Sequence, residues 1–282
     1  MNIKSMKTHE KINKVVIVFV SSLLLLFFMM PFFVMVVNSV KTSTQFTANP
    51  FSLPTEFHWE NFGEALRRMN FFNALKNSLI ITISSAILTA LLSSMAAYFI
   101  SRKGWKINKI IYFIFIASMT APFQTYMIPM VQILGGKLGM SNSLITVSYV
   151  AIALNIPFSV FLYTGFMGSI PKELDEAALI DGCGMLRTFS HVIFPLLKSI
   201  LITGTVFVVL GVWNDYLMTS LFISKEELKT LPLSLYAFLN LHSADYAPMM
   251  AGLIMSLIPV LIFYLVGQKY IIEGIVAGSV KG

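Results

Sequence analysis

The chain has 282 residues, of which 56% are hydrophobic and only 12% are charged. A soluble domain carries about 25% charged residues, so the composition excludes a water-soluble globule and indicates a multi-pass membrane protein. The formal net charge of +7 does not indicate nucleic-acid binding, because the Lys and Arg residues lie mainly in short loops beside apolar segments. Cys183 is the only cysteine, which excludes an intrachain disulfide and a thiolate metal cluster.

Six apolar segments are long enough to cross a membrane, which takes about 20 residues each. They lie at about 15–37, 77–100, 110–131, 143–167, 196–217 and 248–268. The first is expected to be a retained helix rather than a secretory signal, because its apolar core is long and no small-residue cleavage site follows. Prolines are expected to kink several of these helices, at Pro31, Pro122, Pro129, Pro157 and Pro259.

The second span carries small residues at four-residue spacing, which in lipid allow two helix backbones to approach closely. These residues are Thr82, Ala86, Ala90 and Ser94, beside Ser85, Thr89, Ser93 and Ala97. The pattern predicts a seam between helices. It leaves open whether the neighbouring helix belongs to this chain or to a partner.

The distribution of basic residues predicts the orientation in the membrane. With the N-terminus inside, the inner segments are the N-terminal tail, 101–109, 168–199 and the C-terminal tail, and they hold 13 of the 20 Lys and Arg residues. The positive-inside rule therefore favours both termini in the cytoplasm. We expect a single transmembrane domain over 1–282, with the first helix at 15–37, the core spans at about 73–268 and a cytoplasmic tail at 269–282.

The segment 171–199 is polar although it lies between two apolar spans. Acidic residues at its start, Glu173, Asp175 and Glu176, suit the positive end of a helix dipole. Gly182 and Gly184 are expected to end this first helix, and a second amphipathic piece leads into the fifth span. A segment that is too polar for lipid and too regular for a linker indicates a docking surface on the cytoplasmic side.

At these residues the sequence resembles a known family. "EAALIDG", followed at the appropriate spacing by "VIFP", is similar to the EAA signature of permease subunits of ATP-binding-cassette importers. "NPFSLPTEFHWENF", "VWNDYLM", "TLPLSLYAF" and "GQKYIIEGIVAGSVKG" resemble the carbohydrate branch of that family, the maltose-permease type. The resemblance covers nearly the whole chain. It implies an all-α membrane protein with the type I importer permease fold, six transmembrane helices, and a cytoplasmic coupling helix between the fourth and fifth spans.

The resemblance also implies roles for residues of this motif. Glu176 would pair with a basic group in a cleft of an ATP-binding subunit, and Ala177 and Ala178 would allow close approach. Gly182 would set the angle of the turn. The further matching positions of the coupling motif are Asp181 and Pro195.

The chain shows no nucleotide or metal site of its own. The phosphate-binding pattern G-x-x-x-x-G-K-[ST] is absent, because "GGKLG" has Leu138 where Ser or Thr is needed. His9, His58, His191 and His242 lie far apart and lack metal-ligand spacing. We therefore expect no catalytic residues, no metal and no cofactor in this chain, with ATP and Mg²⁺ bound by partner subunits.

The candidate substrate path rests on few polar residues inside the predicted spans. Asp215 is the only acidic one, and an acid within a membrane helix usually faces a polar cavity. Trp213 offers a ring for stacking on a sugar, and Asn214 offers hydrogen bonds. The alternative for "WND" is an interfacial aromatic at a helix end. Asn155 is a further candidate, whose alternative role is bonding to carbonyls freed by Pro157.

The resulting hypothesis is a permease subunit of an ATP-driven, binding-protein-dependent importer of an oligosaccharide or glycoside. It would lie in the bacterial cell membrane and form a heterodimer with a second permease subunit. Its other partners would be two ATP-binding subunits, an extracellular solute-binding protein, the sugar and membrane lipid, and not nucleic acid. The alternative is an ion- or proton-coupled secondary transporter, which usually carries several buried acids or histidines and inverted repeats. An intramembrane enzyme would need a nucleophile–base pair or metal ligands at helical spacing, and none is found.

Overall fold

The computed structural model describes residues 3–239 and 244–279, with side chains over 13–239 and 244–269. The regular elements of these ranges are helices, as the all-α prediction requires. The fourteen α-helices of the described ranges are α1 Ile3–Asn38, α2 Ser43–Ala48, α3 Glu60–Arg68, α4 Phe71–Arg102, α5 Lys106–Thr120, α6 Phe123–Met130, α7 Leu144–Met167, α8 Glu173–Ile180, α9 Met185–Thr188, α10 Phe194–Leu196, α11 Lys198–Trp213, α12 Leu217–Phe222, α13 Leu231–Ser234 and α14 Tyr246–Ser279. Short π-helical and 3-10 stretches join some of them, at Val131–Lys137, Phe189–Ile193, Glu226–Leu228 and Leu235–Phe238.

Each predicted span corresponds to a helix or to a bent pair of helices. By length and composition, α1, α4, α7 and α14 could each cross a membrane, and two bent pairs raise the number to six among the described residues. The end of the predicted C-terminal tail, 280–282, lies outside the described residues, as do the side chains from position 270 onwards.

The third span, predicted as one helix over 110–131, is divided in the structure. α5 ends at Thr120, the next helix begins at Phe123, and the two arms are bent by 95°. Ala121 and Pro122 between them have extended backbone. The cause is Pro122, which disfavours a helical conformation in the preceding residue and supplies no N–H to continue the helix. The proline therefore breaks the span rather than only kinking it.

The fifth span also differs from its predicted range of 196–217. Met185–Leu196 and α11 form the second bent pair, at 80°, and α11 ends at Trp213. A separate short helix, α12, then begins at Leu217.

The chain divides into two compact units. The larger unit, Met69–Tyr236 with Ser256–Gly282, is built on α4, α7 and α11. Its packing confirms the predicted seam, because Thr82, Ser85, Ala86, Thr89, Ser93, Ser94 and Ala97 are all buried. The neighbours along this seam belong to the same chain, chiefly α7 and then α11, and the Ser84 hydroxyl lies 3.0 Å from that of Ser148 on α7. Small side chains thus let α4 lie close to α7 without large apolar side chains between them.

The other unit comprises Met1–Arg68 and Ala237–Met255. Arg68 at the end of α3 donates hydrogen bonds to Asp245 and to the carbonyl of Ala237, both at 2.8 Å. The apolar side chains of α1 are exposed along most of 15–33, as expected of a helix that is hydrophobic on all sides and faces lipid or a partner. The prediction of one transmembrane domain for the whole chain stays a prediction.

Candidate functional site

The polar segment 171–199 folds as two short helical pieces joined by a tight turn. α8 carries the three acidic residues in its first turn and ends at Ile180. Gly182 follows with φ +76°, a left-handed conformation that glycine adopts without strain. The N–H of Cys183 donates to the Ala178 carbonyl at 2.8 Å, and the N–H of Gly182 donates to the Leu179 carbonyl at 3.0 Å. These two bonds form a Schellman motif, which explains why the chain turns here.

One side of the 171–199 segment packs onto the helices of its own unit. Phe189, Ile193 and Leu197 are buried in a cluster with Tyr98 of α4 and Tyr163 of α7. Ala178 is buried as well, whereas its neighbour Ala177 is exposed. The segment is therefore seated on a packed core rather than extended into solvent.

The other side of the 171–199 segment is exposed, and much of it is apolar. Leu179, Ile180 and Leu186 are 70%, 86% and 72% exposed. Besides Ala177, four residues of the predicted coupling motif are exposed, namely Glu176, Asp181, Gly182 and Pro195. A cluster of large apolar side chains beside carboxylates is unsuited to lipid, and it resembles the composition of a surface that another protein covers. We call the exposed side of α8, formed by Glu176, Ala177, Leu179 and Ile180, the outer face of α8.

Two side chains at the end of α4 hold α8 in place. The Tyr98 hydroxyl donates to Oδ1 of Asp175 at 2.7 Å, and Arg102 Nε lies 2.9 Å from Oδ2 of the same carboxylate. The Arg102 guanidinium also donates to the Ile170 carbonyl at 3.1 Å. Sequence reasoning missed Tyr98 and Arg102, because both lie far from Asp175 along the chain, Tyr98 by 77 positions, and such a separation carries no local signal of contact.

A cavity of about 670 Å³ lies in the same unit, at the break of the third span. Its wall comes from the α5–α6 break, the middle of α7 and the junction between α11 and α12. We call it the Asn155–Asp215 cavity, after the two predicted path residues that line it. Ser118, Phe123 and Tyr126 also line it. Sequence reasoning did not select these three, although the nearby Pro122 signalled an interrupted helix.

Asp215 lines the cavity and also binds the first turn of α12. Its carboxylate accepts hydrogen bonds from the backbone N–H of Thr219 at 2.8 Å, the Thr219 hydroxyl at 2.8 Å and the N–H of Met218 at 3.3 Å. A carboxylate offers about four acceptor positions, so these bonds leave room for one more donor. The side chain is half-buried.

Asn155 keeps most of its hydrogen-bonding capacity. Its Nδ2 donates to the Ala151 carbonyl at 2.8 Å, four residues earlier in α7. The carbonyl freed by Pro157 is that of Ala153, so the bond is not the compensation for the proline that the sequence had offered as the alternative. The amide oxygen and the second N–H remain for another partner.

Trp213 and Asn214 are not among the residues that line the cavity. The indole of Trp213 is buried, and its Nε1–H donates to the Ser256 carbonyl on α14 at 3.2 Å. Asn214 is exposed at the end of α11, where its amide donates to the Leu210 carbonyl at 2.8 Å. Both side chains are thus engaged with helix backbone in this conformation.

Among the described side chains, no group of three or more His, Cys, Asp or Glu residues is arranged to hold a metal ion. The prediction that ATP and Mg²⁺ bind to partner subunits stays a prediction.

Comparison with protein families gives a match over residues 86–275 to the family described as "Binding-protein-dependent transport system inner membrane component". Similar curated proteins are matched along nearly their whole length. The starch degradation products transport system permease protein AmyC of Thermoanaerobacterium thermosulfurigenes, described as probable, is 38% identical over 96% of this chain and 98% of its own.

Two further relatives are of the same kind. The multiple sugar-binding transport system permease protein MsmG of Streptococcus mutans is 35% identical over 98% of this chain and 100% of its own. The melibiose/raffinose/stachyose import permease protein MelC of Bacillus subtilis is 33% identical over 95% and 96%. Among solved structures, a chain of a bacterial ABC transporter that imports the polysaccharide alginate superposes with a TM-score of 0.75 at 22% identity, covering 96% of this chain and 99% of that one. The likeness shows a shared fold.

Proposed function

This chain belongs to the family of inner membrane components of binding-protein-dependent transport systems, and we propose that the solute it helps to import is a sugar, either an oligosaccharide or a glycoside. Membership makes the chain a multi-pass permease subunit that works with a solute-binding protein, an ATP-hydrolysing partner and a partner permease, and that is not itself an enzyme. It removes the alternative of an ion-coupled secondary transporter. Relatives named for starch products, for melibiose, raffinose and stachyose, and for multiple sugars support the sugar class.

The observation that carries the coupling role is the outer face of α8. Its apolar side chains are exposed although Phe189, Ile193 and Leu197 of the same segment are buried in the core, so a partner must cover them to remove them from water. We propose that this partner is the ATP-binding subunit, with Glu176 meeting a basic group and Ala177 allowing close approach. Asp181, Gly182 and Pro195 shape the turn and the exit from it, and ATP with Mg²⁺ binds in the partner.

The Asn155–Asp215 cavity is proposed as this chain's share of the substrate path. Its volume falls within the range of about 300–1,000 Å³ that is usual for small-molecule sites. The free amide groups of Asn155 and the remaining acceptor position of Asp215 suit the hydroxyls of a sugar, which both donate and accept hydrogen bonds.

The assembly proposed is a heterodimer of two permeases with two ATP-binding subunits and one external binding protein. Both termini and the 171–199 segment would lie in the cytoplasm, as the basic residues favour. Selective labelling of Cys183 with membrane-impermeant maleimide from each side tests this orientation, and reaction from the outside only would contradict it.

The sugar class is tested by reconstituting the complete complex in liposomes and screening solutes for stimulated ATP hydrolysis. We expect stimulation by an oligosaccharide or glycoside in the presence of the binding protein. Stimulation by peptides or amino acids alone would refute the sugar proposal. Asn155→Ala should reduce transport by about 2- to 10-fold, the effect of one or two hydrogen bonds. Asn13→Ala, at an exposed position near the start of α1, is the control outside the cavity, and an equal loss of transport there would speak against the proposed path.

The docking role is tested by charge reversal. Glu176→Lys should abolish stimulated transport and weaken co-purification with the ATP-binding subunit. Gly182→Asp, which also strains the turn, should act in the same direction. Glu227→Lys, a charge reversal at another exposed glutamate in the connection after α12, is the control and should leave co-purification unchanged. Normal assembly and transport by both α8 variants would contradict the proposal.

A further inference from the structure

Two adjacent acidic residues of α8, Asp175 and Glu176, lie on different faces of the helix. Glu176 is exposed on the outer face of α8, whereas Asp175 turns inward against the end of α4. The coupling motif of the resemblance includes Glu176 and assigns nothing to Asp175. The carboxylate of Asp175 is nonetheless the more engaged of the two, because Oδ1 accepts a hydrogen bond from the Tyr98 hydroxyl and Oδ2 forms an ion pair with Arg102, although without hydrogen-bond geometry.

The contacts of Asp175 are shielded from water. The side chains of Arg102 and Asp175 are 9% and 19% exposed, and Tyr98 is buried. An ion pair in such surroundings is screened much less than a surface pair, and its geometry is fixed by further bonds. Here the additional bond is the one from Arg102 to the Ile170 carbonyl, just after α7.

The same end of α4 also contacts the second half of the 171–199 segment. The ring of Tyr98 lies 5.4 Å from that of Phe189, centroid to centroid. Tyr98 and Arg102 therefore join α4 to α8, to the residues after α7 and to the piece that leads into α11. We call the group Tyr98, Arg102 and Asp175 the α4–α8 clamp.

We propose that the α4–α8 clamp makes α8 and α4 move as one body, so that displacement of α8 by the ATP-binding partner reaches the helices that line the substrate path. This proposal rests on the docking role proposed above. α4 packs along α7 through its seam of small residues, and α7 supplies Ala151 and Asn155 to the wall of the Asn155–Asp215 cavity. Asp175, Tyr98 and Arg102 are positioning residues, since they act through α4 and not on the solute or the nucleotide.

The experiment compares Asp175→Asn, Tyr98→Phe and Asp175→Glu with the unmodified complex in liposomes. The readouts are co-purification of the ATP-binding subunit, ATP hydrolysis and the amount of solute imported per ATP hydrolysed. Asp175→Asn removes the charge that pairs with Arg102. Tyr98→Phe removes only one hydroxyl and keeps the ring against Phe189, so we expect this variant to fold normally. Asp175→Glu restores a carboxylate.

We expect Asp175→Asn to assemble and hydrolyse ATP, but to import at least about fivefold less solute per ATP, the lower end of usual coupling effects. Tyr98→Phe should show a smaller loss of the same kind, and Asp175→Glu should recover much of it. An unchanged import-to-ATP ratio in Asp175→Asn and Tyr98→Phe would overturn the proposal. So would loss of partner binding in both, because the clamp would then serve docking or folding.

Failure of the underlying function is recognised separately. If the unmodified complex shows no solute-stimulated ATP hydrolysis, the proposed function fails before any variant is compared. If the unmodified complex does show this stimulation, a different result refutes the clamp alone. In that result only Glu176→Lys lowers partner binding, while the clamp variants keep the normal amount of solute imported per ATP, so the docking role stands.

Discussion

The contact between Gly204 of α11 and Tyr163 of α7 gives a sharp prediction about packing. A Cβ atom added at Gly204 would lie 2.8 Å from Cε1 and 2.9 Å from Cζ of the Tyr163 ring, and closer still to the hydroxyl oxygen. Carbon atoms pack at about 3.5–4.0 Å, so a methyl group here overlaps the ring by close to 1 Å. Gly204→Ala therefore requires the ring or the helix to move.

The ring has little freedom to move. Tyr163 is fully buried in the cluster that contains Met167, Ile193 and Leu197. Overpacking a core in this way destabilises by about 1–3 kcal/mol. A glycine-to-alanine change at an open helical site has the opposite sign, because alanine is favoured in helices by about 1 kcal/mol. Gly165→Ala on α7 is the matched control, since nothing lies within 4 Å of a Cβ atom there.

The assay is the thermal unfolding midpoint of the purified protein in detergent. It is measured for Gly204→Ala, Gly165→Ala, Tyr163→Ala and the double variant that combines Tyr163→Ala with Gly204→Ala. We expect Gly204→Ala to lower the midpoint and Gly165→Ala to leave it unchanged or raise it. The double variant should lose less than the sum of the two single losses, because the ring that clashes is gone. If Gly204→Ala is as stable as Gly165→Ala, the close packing of α7 on α11 is refuted.

Three further predictions concern single positions. Gly182→Ala should destabilise the turn after α8 by about 1–2 kcal/mol, because its φ is positive, while Gly184→Ala, at φ −72°, should be tolerated; equal unfolding midpoints would contradict this. Ala178→Leu should lower the unfolding midpoint by overpacking the core, whereas Ala177→Leu should leave stability unchanged and weaken binding of the ATP-binding subunit. The reverse pattern would contradict the assignment of Ala177 to the outer face of α8. Burial lowers the pKa of the Lys41 amine, so the folded state binds fewer protons there than the unfolded chain, and the free energy of unfolding should rise with pH until about 10.5, the ordinary pKa of lysine. In Lys41→Met, unfolding measured as a function of pH should show a smaller rise. An unchanged rise would show that other groups cause it.

The features predicted well from sequence are those set by local pattern. The small residues of the second span were predicted to face another helix, because their four-residue spacing permits close packing of helices in lipid. In the structure they are buried along α7 and α11. Which helix they face was beyond the sequence, since small side chains accept many neighbours. Gly182 was expected to end α8, and its left-handed backbone does so.

The features that sequence reasoning missed depend on which way a side chain turns. "WND" contains three polar or amphipathic residues in a row, and the sequence gives no preference among them for a cavity wall. The place where α11 ends determines which of them reaches the cavity. With the helix ending at Trp213, the indole lies against Ser256 and Asp215 lines the cavity. Contact of any of these side chains with a solute stays a prediction.

The order of residues in "DEAA" follows from the geometry of a short helix with one buried side. Successive residues of an α-helix are about 100° apart, so positions three apart share a face. Asp175 and Ala178 lie on the inward face, where Asp175 meets Arg102 and Ala178 must be small to let α8 approach the core. Glu176 and Ala177 fall on the outward face with Leu179 and Ile180. The two alanines of the motif are therefore small for different reasons, one for packing within the chain and one for the surface of a partner.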